Sequence, residues 1–154
     1  MTTATALAVR PGHVGLNVTD LARSRDFYIR VLDLEPLGQS SDAERDWVFL
    51  GRDGNVLVTL WHQADGAFTA TGPGLHHLAL EVASVEELHA LQRRLSDLGI
   101  ERRYGGIVRH AEGADSGGIY FSDPDGIRLE VYAPSGVAAT GAPAPEDMPT
   151  CGHF

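Results

Sequence analysis

The chain contains an internal duplication, which constrains its fold more than any single motif does. When the first half is laid on the second so that His13 falls on His77, the apolar residues that follow each histidine also coincide. With a slightly longer shift, the segment FLGRDG at residues 49–54 falls on FSDPDG at residues 121–126. The sequence therefore predicts two copies of one unit, each made of a strand, a helix and a short run of strands.

The first copy has the alternation of a half-buried strand followed by the spacing of an amphipathic helix. In the strand, His13 lies on the face opposite Leu16, and Thr19 or Asp20 can cap the helix that follows. The predicted elements are a strand over residues 13–18, a helix over residues 20–34 and two strands over residues 46–51 and 55–62.

The second copy repeats this arrangement with stronger signals. Ser84 and Glu87 form a capping box at the start of its helix, and Gly99 ends it. Asp-Pro-Asp-Gly at residues 123–126 predicts a tight hairpin and, taken alone, nothing more. The predicted elements are a strand over residues 76–82, a helix over residues 84–98 and hairpin strands over residues 119–122 and 127–132.

These elements predict one compact domain made of two modules. A chain of 154 residues can bury a core without disulfides or a structural metal. The Ala/Gly/Pro-rich C-terminal end has too few large apolar residues to predict an element of its own. The predicted divisions are a flexible arm at 1–10, a first module at 11–66, a linker at 67–75, a second module at 76–133 and a flexible tail at 134–154.

Composition excludes several classes of function. A net charge of -9 with no basic stripe argues against nucleic acid and anionic membranes as partners. There is no apolar run long enough to span a bilayer, and the N-terminal residues lack the pattern of a signal peptide. The single cysteine, Cys151, cannot form an internal disulfide. These features together predict a cytoplasmic protein.

Three residues at corresponding places in the two copies are candidate metal ligands. His13, His77 and Glu130 each lie on the strand face opposite the apolar residues, so they can converge on a concave, partly polar inner surface. A lone histidine on such a strand is more often structural, and a lone glutamate more often forms a salt bridge. The duplication favours ligation, with His77 rather than His76 as the ligand because neighbours in a strand point to opposite faces. Two histidines and one carboxylate that leave coordination positions open suit non-haem Fe(II).

The sequence resembles the vicinal oxygen chelate superfamily over residues 11–133. The resemblance rests on HVGLNVTDLARSRDFYIRVLDLEPL from residue 13, HHLALEV from residue 76 and YFSDPDGIRLEVY from residue 120. It implies an α+β fold in which two βαβββ modules form open, metal-centred mixed sheets. The superfamily includes dioxygenases, glyoxalases, epimerases, thiol transferases and metal-free binding proteins, so the fold alone does not choose the reaction.

Within this superfamily the sequence is most similar to the extradiol dioxygenases. A glyoxalase would be expected to have a second carboxylate where this chain has Val58 or, with the register shifted by one, Thr59. The pattern Tyr-x-x-Asp-Pro-x-Gly-x-x-x-Glu of the extradiol branch fits the segment from Tyr120 to Glu130. The resemblance further assigns an upstream histidine to His110, although its spacing is slightly long.

The same resemblance implies roles for three residues around the ligands. His62 would be the acid–base partner of the reacting oxygens, and His110 and Tyr120 would hydrogen-bond the substrate. Each also has an ordinary structural explanation: His62 as a surface residue at a strand end, His110 as an exposed loop residue, and Tyr120 as a cover for the sheet.

The predicted activity is Fe(II)-dependent extradiol cleavage of a catechol by O₂ to a semialdehyde, with L-DOPA as the preferred catechol. Arg109, Arg128 and Glu112 are candidate partners for an amino-acid side chain. One alternative is a Mn-dependent thiol transferase of the fosfomycin-resistance type, which needs a cationic pocket although the chain lacks lysine. Another is a metal-free, drug-sequestering binding protein. A homodimer is predicted, with modules paired within one chain or exchanged between two.

Overall fold

The structure, a computed structural model, describes residues 7–42 and 45–143. It confirms the α+β fold with two βαβββ modules. The first module consists of β1 (Val14–Asn17), α1 (Leu21–Leu32), β2 (Glu35–Asp42), β3 (Arg45–Arg52) and β4 (Asn55–Trp61). The second consists of β5 (Leu78–Glu81), α2 (Val85–Asp97), β6 (Val108–Arg109), β7 (Gly117–Ser122) and β8 (Arg128–Ala133).

Each module folds into a mixed four-stranded sheet with the same topology. The strand orders are β1-β4-β3-β2 and β5-β8-β7-β6. In the first sheet β1 pairs in parallel with β4, and in the second β5 pairs in parallel with β8. The parallel pairs place Gly15 beside Thr59 and Ala79 beside Glu130. Thr59 is therefore the structural counterpart of Glu130, which decides between the two positions that the sequence left open.

Two edge strands had no predicted position in the sequence. β2 has the sequence EPLGQSSD, which offers little apolar alternation because the strand pairs on one side only. β6 has only two residues and pairs with Gly117 and Gly118. Both strands form because they pair with a neighbouring strand, so local sequence preference does not predict them.

The helices begin much as their sequences predict. Asp20 caps α1 by accepting a hydrogen bond from the backbone N–H of Arg23. Ser84 and Glu87 form the predicted capping box of α2. Among the described residues, no helix is long and apolar enough to cross a membrane.

The core lies between the helices and one face of each sheet. It includes Leu16 and Leu60 under α1, and Leu88 and Leu129 between α2 and the second sheet. The opposite, inner face is partly polar: it carries Thr59 in the first module and Glu130 in the second. The predicted separation of an apolar face from a partly polar face is thus present in both modules.

The Asp-Pro-Asp-Gly turn joins the two modules, which corrects its interpretation as a hairpin alone. Asp125 Oδ2 accepts from the Thr19 backbone N–H at 2.9 Å, and Oδ1 accepts from Thr19 Oγ1 at 2.5 Å and Arg23 Nη2 at 2.6 Å. Tyr28 donates its hydroxyl to Asp123 Oδ2 at 3.1 Å. Burial, together with the nearby Asp123 charge, raises the pKa of Tyr28 well above its usual range, so the tyrosine remains a neutral donor.

The first part of the predicted tail is ordered against the second module. A 3₁₀ helix spans Val137–Ala139, and Val137 is buried. The Ala142 backbone N–H donates to the Ile107 carbonyl, and the Arg109 N–H donates to the Ala142 carbonyl. The prediction that this segment forms no element of its own is therefore wrong for residues 137–139. Residues 1–6 of the arm and residues 144–154, which include Cys151, lie outside the described residues.

Candidate metal centre

Glu130 occupies the middle of the inner face of the second sheet. Glu130 is only 4% exposed, and it lies in β8 between Ala79 and Tyr120 of the two neighbouring strands. Its Oε2 lies 3.2 Å from His77 Nε2. Its Oε1 accepts the Tyr120 hydroxyl at 3.0 Å and lies 2.8 Å from His110 Nε2. Four of the six candidate site residues therefore meet at one carboxylate.

This environment keeps Glu130 ionised. Burial by itself raises its pKa, but hydrogen bonds from His110 and Tyr120 and the charges of His110 and His77 outweigh that effect and lower the pKa below its usual range. A carboxylate must be deprotonated to bind a metal. The chemical state of Glu130 thus fits a ligand.

Each histidine at Glu130 is contacted at both ring nitrogens. His77 Nδ1 lies 2.8 Å from His76 Nδ1, and His110 Nδ1 lies 3.0 Å from Ser116 Oγ. In metal sites the non-ligating nitrogen is normally held by such a partner, which fixes the ring.

The contact between His76 and His77 corrects the prediction that these two side chains point to opposite faces. Both residues precede β5, where strand alternation does not apply.

His13 lies in the other module, directly before β1, and is exposed. Within residues 7–42 and 45–143, no three His, Cys, Asp or Glu side chains are arranged to hold a metal ion. His13, His77 and Glu130 therefore do not form a complete ligand set in a single chain. Two of the candidate ligands, His77 and Glu130, are close together on the second module, and the third, His13, is on the first.

His62 is not brought to Glu130. It follows β4 with its side chain 46% exposed, and its Nδ1 lies 3.7 Å from Asp46 Oδ2. Because Trp47 pairs with Trp61, the adjacent Asp46 and His62 lie on the opposite face of the sheet. This position offers His62 no direct approach to the inner face.

An aromatic row on the inner face of the first module was missed in the sequence. Trp47 stacks on Phe49 with ring centroids 4.3 Å apart, and Trp61 lies 6.2 and 6.3 Å from these two rings. Trp61 Nε1 donates to Thr59 Oγ1 at 3.1 Å. A Cβ on Gly15 would lie 3.9 Å from Trp61 Nε1, so the row reaches β1. The alternation of aromatic residues at 47 and 49 was the available signal.

A cationic cavity of about 450 Å³, here called the arginine cavity, was also missed. Its lining residues are Ile100, Glu101, Arg102, Arg103, Phe121, Ser122, Gly126 and Arg128. Of the predicted side-chain partners, Arg128 is in this lining. Arg109 instead donates to the Ala138 carbonyl.

Comparison with known proteins identifies the family. Residues 10–131 match the model of the Glyoxalase/Bleomycin resistance protein/Dioxygenase superfamily. The chain belongs to this superfamily. Its members act on small-molecule substrates and commonly form dimers, and metal-binding members use iron or manganese.

Relatives with different activities resemble the chain to a similar degree. It is 31% identical over 120 residues to a trivalent organoarsenical cleaving enzyme of Bacillus sp., covering 78% of the chain and 70% of the relative. It is 29% identical to the catechol-2,3-dioxygenase of Bacillus subtilis, covering 79% of the chain but only 40% of that protein. It is also 29% identical to the metallothiol transferase FosB of Bacillus licheniformis, covering 80% and 74%.

Solved structures show the same fold. A glyoxylase/bleomycin resistance protein/dioxygenase domain from Frankia sp. superposes with a TM-score of 0.68 at 25% identity, covering 85% of this chain and 98% of that one. The fosfomycin resistance protein FosX from Listeria monocytogenes, in complex with Mn(II), gives 0.64 at 19% identity, covering 83% and 93%.

Proposed function

We propose that this protein is an Fe(II)-dependent extradiol dioxygenase that cleaves a catechol with O₂ to a semialdehyde, with L-DOPA as the preferred catechol. The observation that carries the proposal is that the two carboxylate oxygens of Glu130 have different partners. One oxygen faces His77, as a shared metal would require, while the other contacts His110 and Tyr120. His110 and Tyr120 are therefore in position to move a proton and to hydrogen-bond a catechol beside the candidate ligands His77 and Glu130, which supports the proposal.

The metal would be held by His77 Nε2, Glu130 Oε2 and the partner subunit's His13. Exchange of modules between two chains would account for the location of His13 and Glu130 on different modules of one chain. A two-fold dimer would bring the inner face of each first module over that of a second module and create two equivalent sites. Fe(II) bound there supplies a Lewis acid that favours ionisation of the catechol hydroxyls and an electron path between ring and O₂.

The chain's own residues would bind and orient the ring and move protons. His110 Nε2 and Tyr120 OH would turn from Glu130 to the substrate oxygens, with Ser116 holding the other nitrogen of His110. The partner's aromatic row would offer a wall for a planar ring. An acid–base role for His62 stays a prediction, and its pairing with Asp46 does not support it.

The direct test is anaerobic loading with Fe(II), followed by L-DOPA and a panel of simple catechols in air. Oxygen uptake and the yellow ring-opened product are recorded together. Equimolar O₂ consumption and product formation supports extradiol cleavage, and relative kcat/KM values rank the catechols. Bound iron with no uptake for any catechol overturns the proposal, and failure to retain any metal favours a drug-binding protein.

Subunit mixing tests the exchange of modules. His13→Ala and His77→Ala should each be inactive as homodimers. In an exchanged heterodimer one site receives an intact His13 from one subunit and an intact His77 from the other, so random mixing should restore roughly one quarter of wild-type activity. Sites contained within single chains would give no recovery. Mixing each variant with itself is the control.

A thiol transferase of the fosfomycin-resistance type is the second candidate. The observation that favours it is the arginine cavity, whose residue Arg128 precedes Glu130 by two positions in β8. A phosphonate could bind these guanidinium groups. The test is loading with Mn(II) and addition of fosfomycin with a low-molecular-weight thiol. Loss of free thiol in this assay, without catechol turnover, would replace the dioxygenase proposal.

The organoarsenical-cleaving relative suggests one further substrate for the panel. Trivalent arsenic is a soft centre that binds thiolates, and this chain has a single cysteine, Cys151. A pair of protein thiols within one chain is therefore impossible, and we place catechols ahead of arsenicals. Release of inorganic arsenic from a trivalent aryl arsenical, without catechol turnover, would reverse that order.

A further inference from the structure

His110, one of the residues that contact Glu130, lies at the start of a loop that follows the two-residue strand β6. The loop covers residues 110–116 and ends where β7 begins. We propose that residues 136–142, here called the C-terminal segment, hold this loop in place through Asp115 and so position His110. The inference rests on the proposed function, because it makes Asp115 a positioning residue for the proposed proton-transfer group.

The C-terminal segment pairs with the outer edge of β6. Val108 forms a parallel bridge with Ala142. The Arg109 backbone N–H donates to the Ala142 carbonyl at 3.1 Å, and the Ala142 N–H donates to the Ile107 carbonyl at 3.0 Å. On its other side β6 pairs with β7. The chain is therefore held on both sides directly before His110, and the C-terminal segment supplies one of the two sides.

Asp115 connects the far end of the loop to the same segment. Its backbone carbonyl accepts from the Val137 N–H at 2.9 Å, and its Oδ1 accepts from the Ala138 N–H at 3.2 Å. Hydrogen bonds from the backbone of Gly136 and Ala138, with a smaller contribution from the charge of Arg109, lower the pKa of Asp115 below its usual range. Arg109 also donates from Nη2 to the Ala138 carbonyl. Both ends of the loop are thus attached to the C-terminal segment.

A buried valine anchors the C-terminal segment independently of Asp115. Val137 is 0% exposed. A Cβ on Gly117 would lie 2.6 Å from Val137 Cγ1, and a Cβ on Gly141 would lie closer still. The two glycines therefore leave the space that the valine side chain occupies. Because packing and hydrogen bonding hold the segment at different residues, each anchor can be tested by its own substitution.

The attached loop fixes the His110 ring through the residue that follows Asp115. The His110 backbone N–H donates to the Ser116 carbonyl at 3.1 Å, and His110 Nδ1 lies 3.0 Å from Ser116 Oγ. A shift of Asp115 would move both of these contacts and displace Nε2 from its position 2.8 Å from Glu130 Oε1. A displacement of about 1 Å in a catalytic group can lower a rate by about 100-fold.

Amide hydrogen exchange followed by NMR tests the support of the loop without turnover. We expect Asp115→Ala to raise the exchange rates of the Arg109 and His110 amides about tenfold or more, while amides in β8 keep their protection. Asp115→Asn retains an acceptor oxygen for the Ala138 N–H and should restore most of the protection. Asp97→Ala, an exposed carboxylate on α2, is the matched control and should leave both amides protected. Unchanged exchange at His110 in Asp115→Ala overturns the inference.

A second variant tests the packing anchor. Val137→Ala removes two carbon atoms from the buried side chain and should raise exchange at the Arg109 and His110 amides selectively. Val31→Ala makes the same deletion at a buried valine of the first module and should not raise exchange selectively at these amides. The same pattern of exchange in both valine variants would mean general destabilisation and would overturn the inference.

Kinetics separates this inference from the proposed function. In an active dioxygenase, Asp115→Ala should retain iron and lower kcat about tenfold, with KM for the catechol changed less than about twofold. Asp115→Asn should recover most of kcat. An unchanged kcat despite faster exchange overturns the positioning role and leaves the dioxygenase intact. Selective exchange changes in Asp115→Ala, with no catechol cleavage by wild type, remove the dioxygenase and keep the support of the His110 loop by the C-terminal segment.

Discussion

The two modules share a topology but carry different chemistry at equivalent places. Beside β1 the first module has Thr59 flanked by Phe49, whereas beside β5 the second has Glu130 flanked by Tyr120. One inner face is mainly aromatic, while the other holds a buried carboxylate with its hydrogen-bond partners. The duplication thus supplies a scaffold used twice, and the proposed site requires one face of each kind. In the proposed site, joining these two unlike faces would produce an asymmetric centre.

The largest effect should come from removing the carboxylate that distinguishes the modules. Glu130→Ala leaves His77 without its anionic neighbour, so we expect loss of bound iron and a fall in kcat/KM of about 1,000-fold or more. Metal analysis after gel filtration and oxygen uptake measure the two effects. Glu81→Ala, an exposed carboxylate on β5, is the matched control and should retain iron. Normal iron content in Glu130→Ala would remove this residue from the metal site.

A comparison of His110 and His62 tests which module supplies the proton-transfer group. His110 contacts Glu130 at 2.8 Å, whereas His62 contacts Asp46 away from the inner face. We expect His110→Phe to keep iron and lower kcat by about 100-fold, and His62→Phe to lower it less than tenfold. Steady-state kinetics at saturating catechol, with iron content measured in parallel, gives the comparison. A larger loss in His62→Phe would transfer the acid–base role to the first module, as the resemblance alone implied.

The sequence predicts the parts of this arrangement that depend on local order. Strand alternation, the capping box at Ser84 and the repeat of His13 at His77 all involve residues close in the chain or at a fixed offset. The residue of the first module that corresponds to Glu130 was less certain, because the pairing of β3 with β4 shifts by one residue between Leu50 and Gly51. β7 and β8 pair without such a shift, so the repeat alone cannot decide between Val58 and Thr59.

Features that depend on residues far apart in the chain could not be predicted from the sequence. The bond between Thr19 and Asp125 joins residues 106 positions apart, and no local pattern indicates it. The arginine cavity likewise combines a loop after α2 with a hairpin farther along the chain. The proposed exchange of modules would depend on how whole sheet faces meet, so no local sequence pattern would indicate it either.

The hydrogen bonds from the first module to Asp123 and Asp125, here called the joint between the modules, should contribute a moderate amount to stability. Asp125 is buried and accepts hydrogen bonds from Thr19 and Arg23. Asp125→Ala leaves the Thr19 donors without their acceptor, so the free energy of unfolding should fall by about 2 kcal/mol. Urea unfolding followed by circular dichroism measures it, with the exposed Asp26→Ala as control. An unchanged midpoint would mean that the modules are held together by apolar packing alone.

The smallest predicted effect is a pH dependence at the same joint. Burial raises the pKa of Asp123, although backbone donors and Tyr28 partly oppose it and the neighbouring Asp125 adds to it. A raised carboxyl pKa means that the folded state binds the proton more tightly, so the cost of ionising Asp123 is relieved as pH falls through that pKa. Relative to Asp123→Asn, wild type should therefore gain stability as pH falls from neutral toward the ordinary value of 3.8.

The measurement is the difference between the two free energies of unfolding at each pH. Titrating groups far from residue 123 are the same in both proteins, so their contribution cancels in this difference. A difference that does not vary with pH would mean that the hydrogen bonds from Tyr28 and the backbone of Ile127 offset burial. The joint would then be electrostatically neutral to folding, in contrast to Glu130, whose pKa is shifted in the opposite direction by its partners.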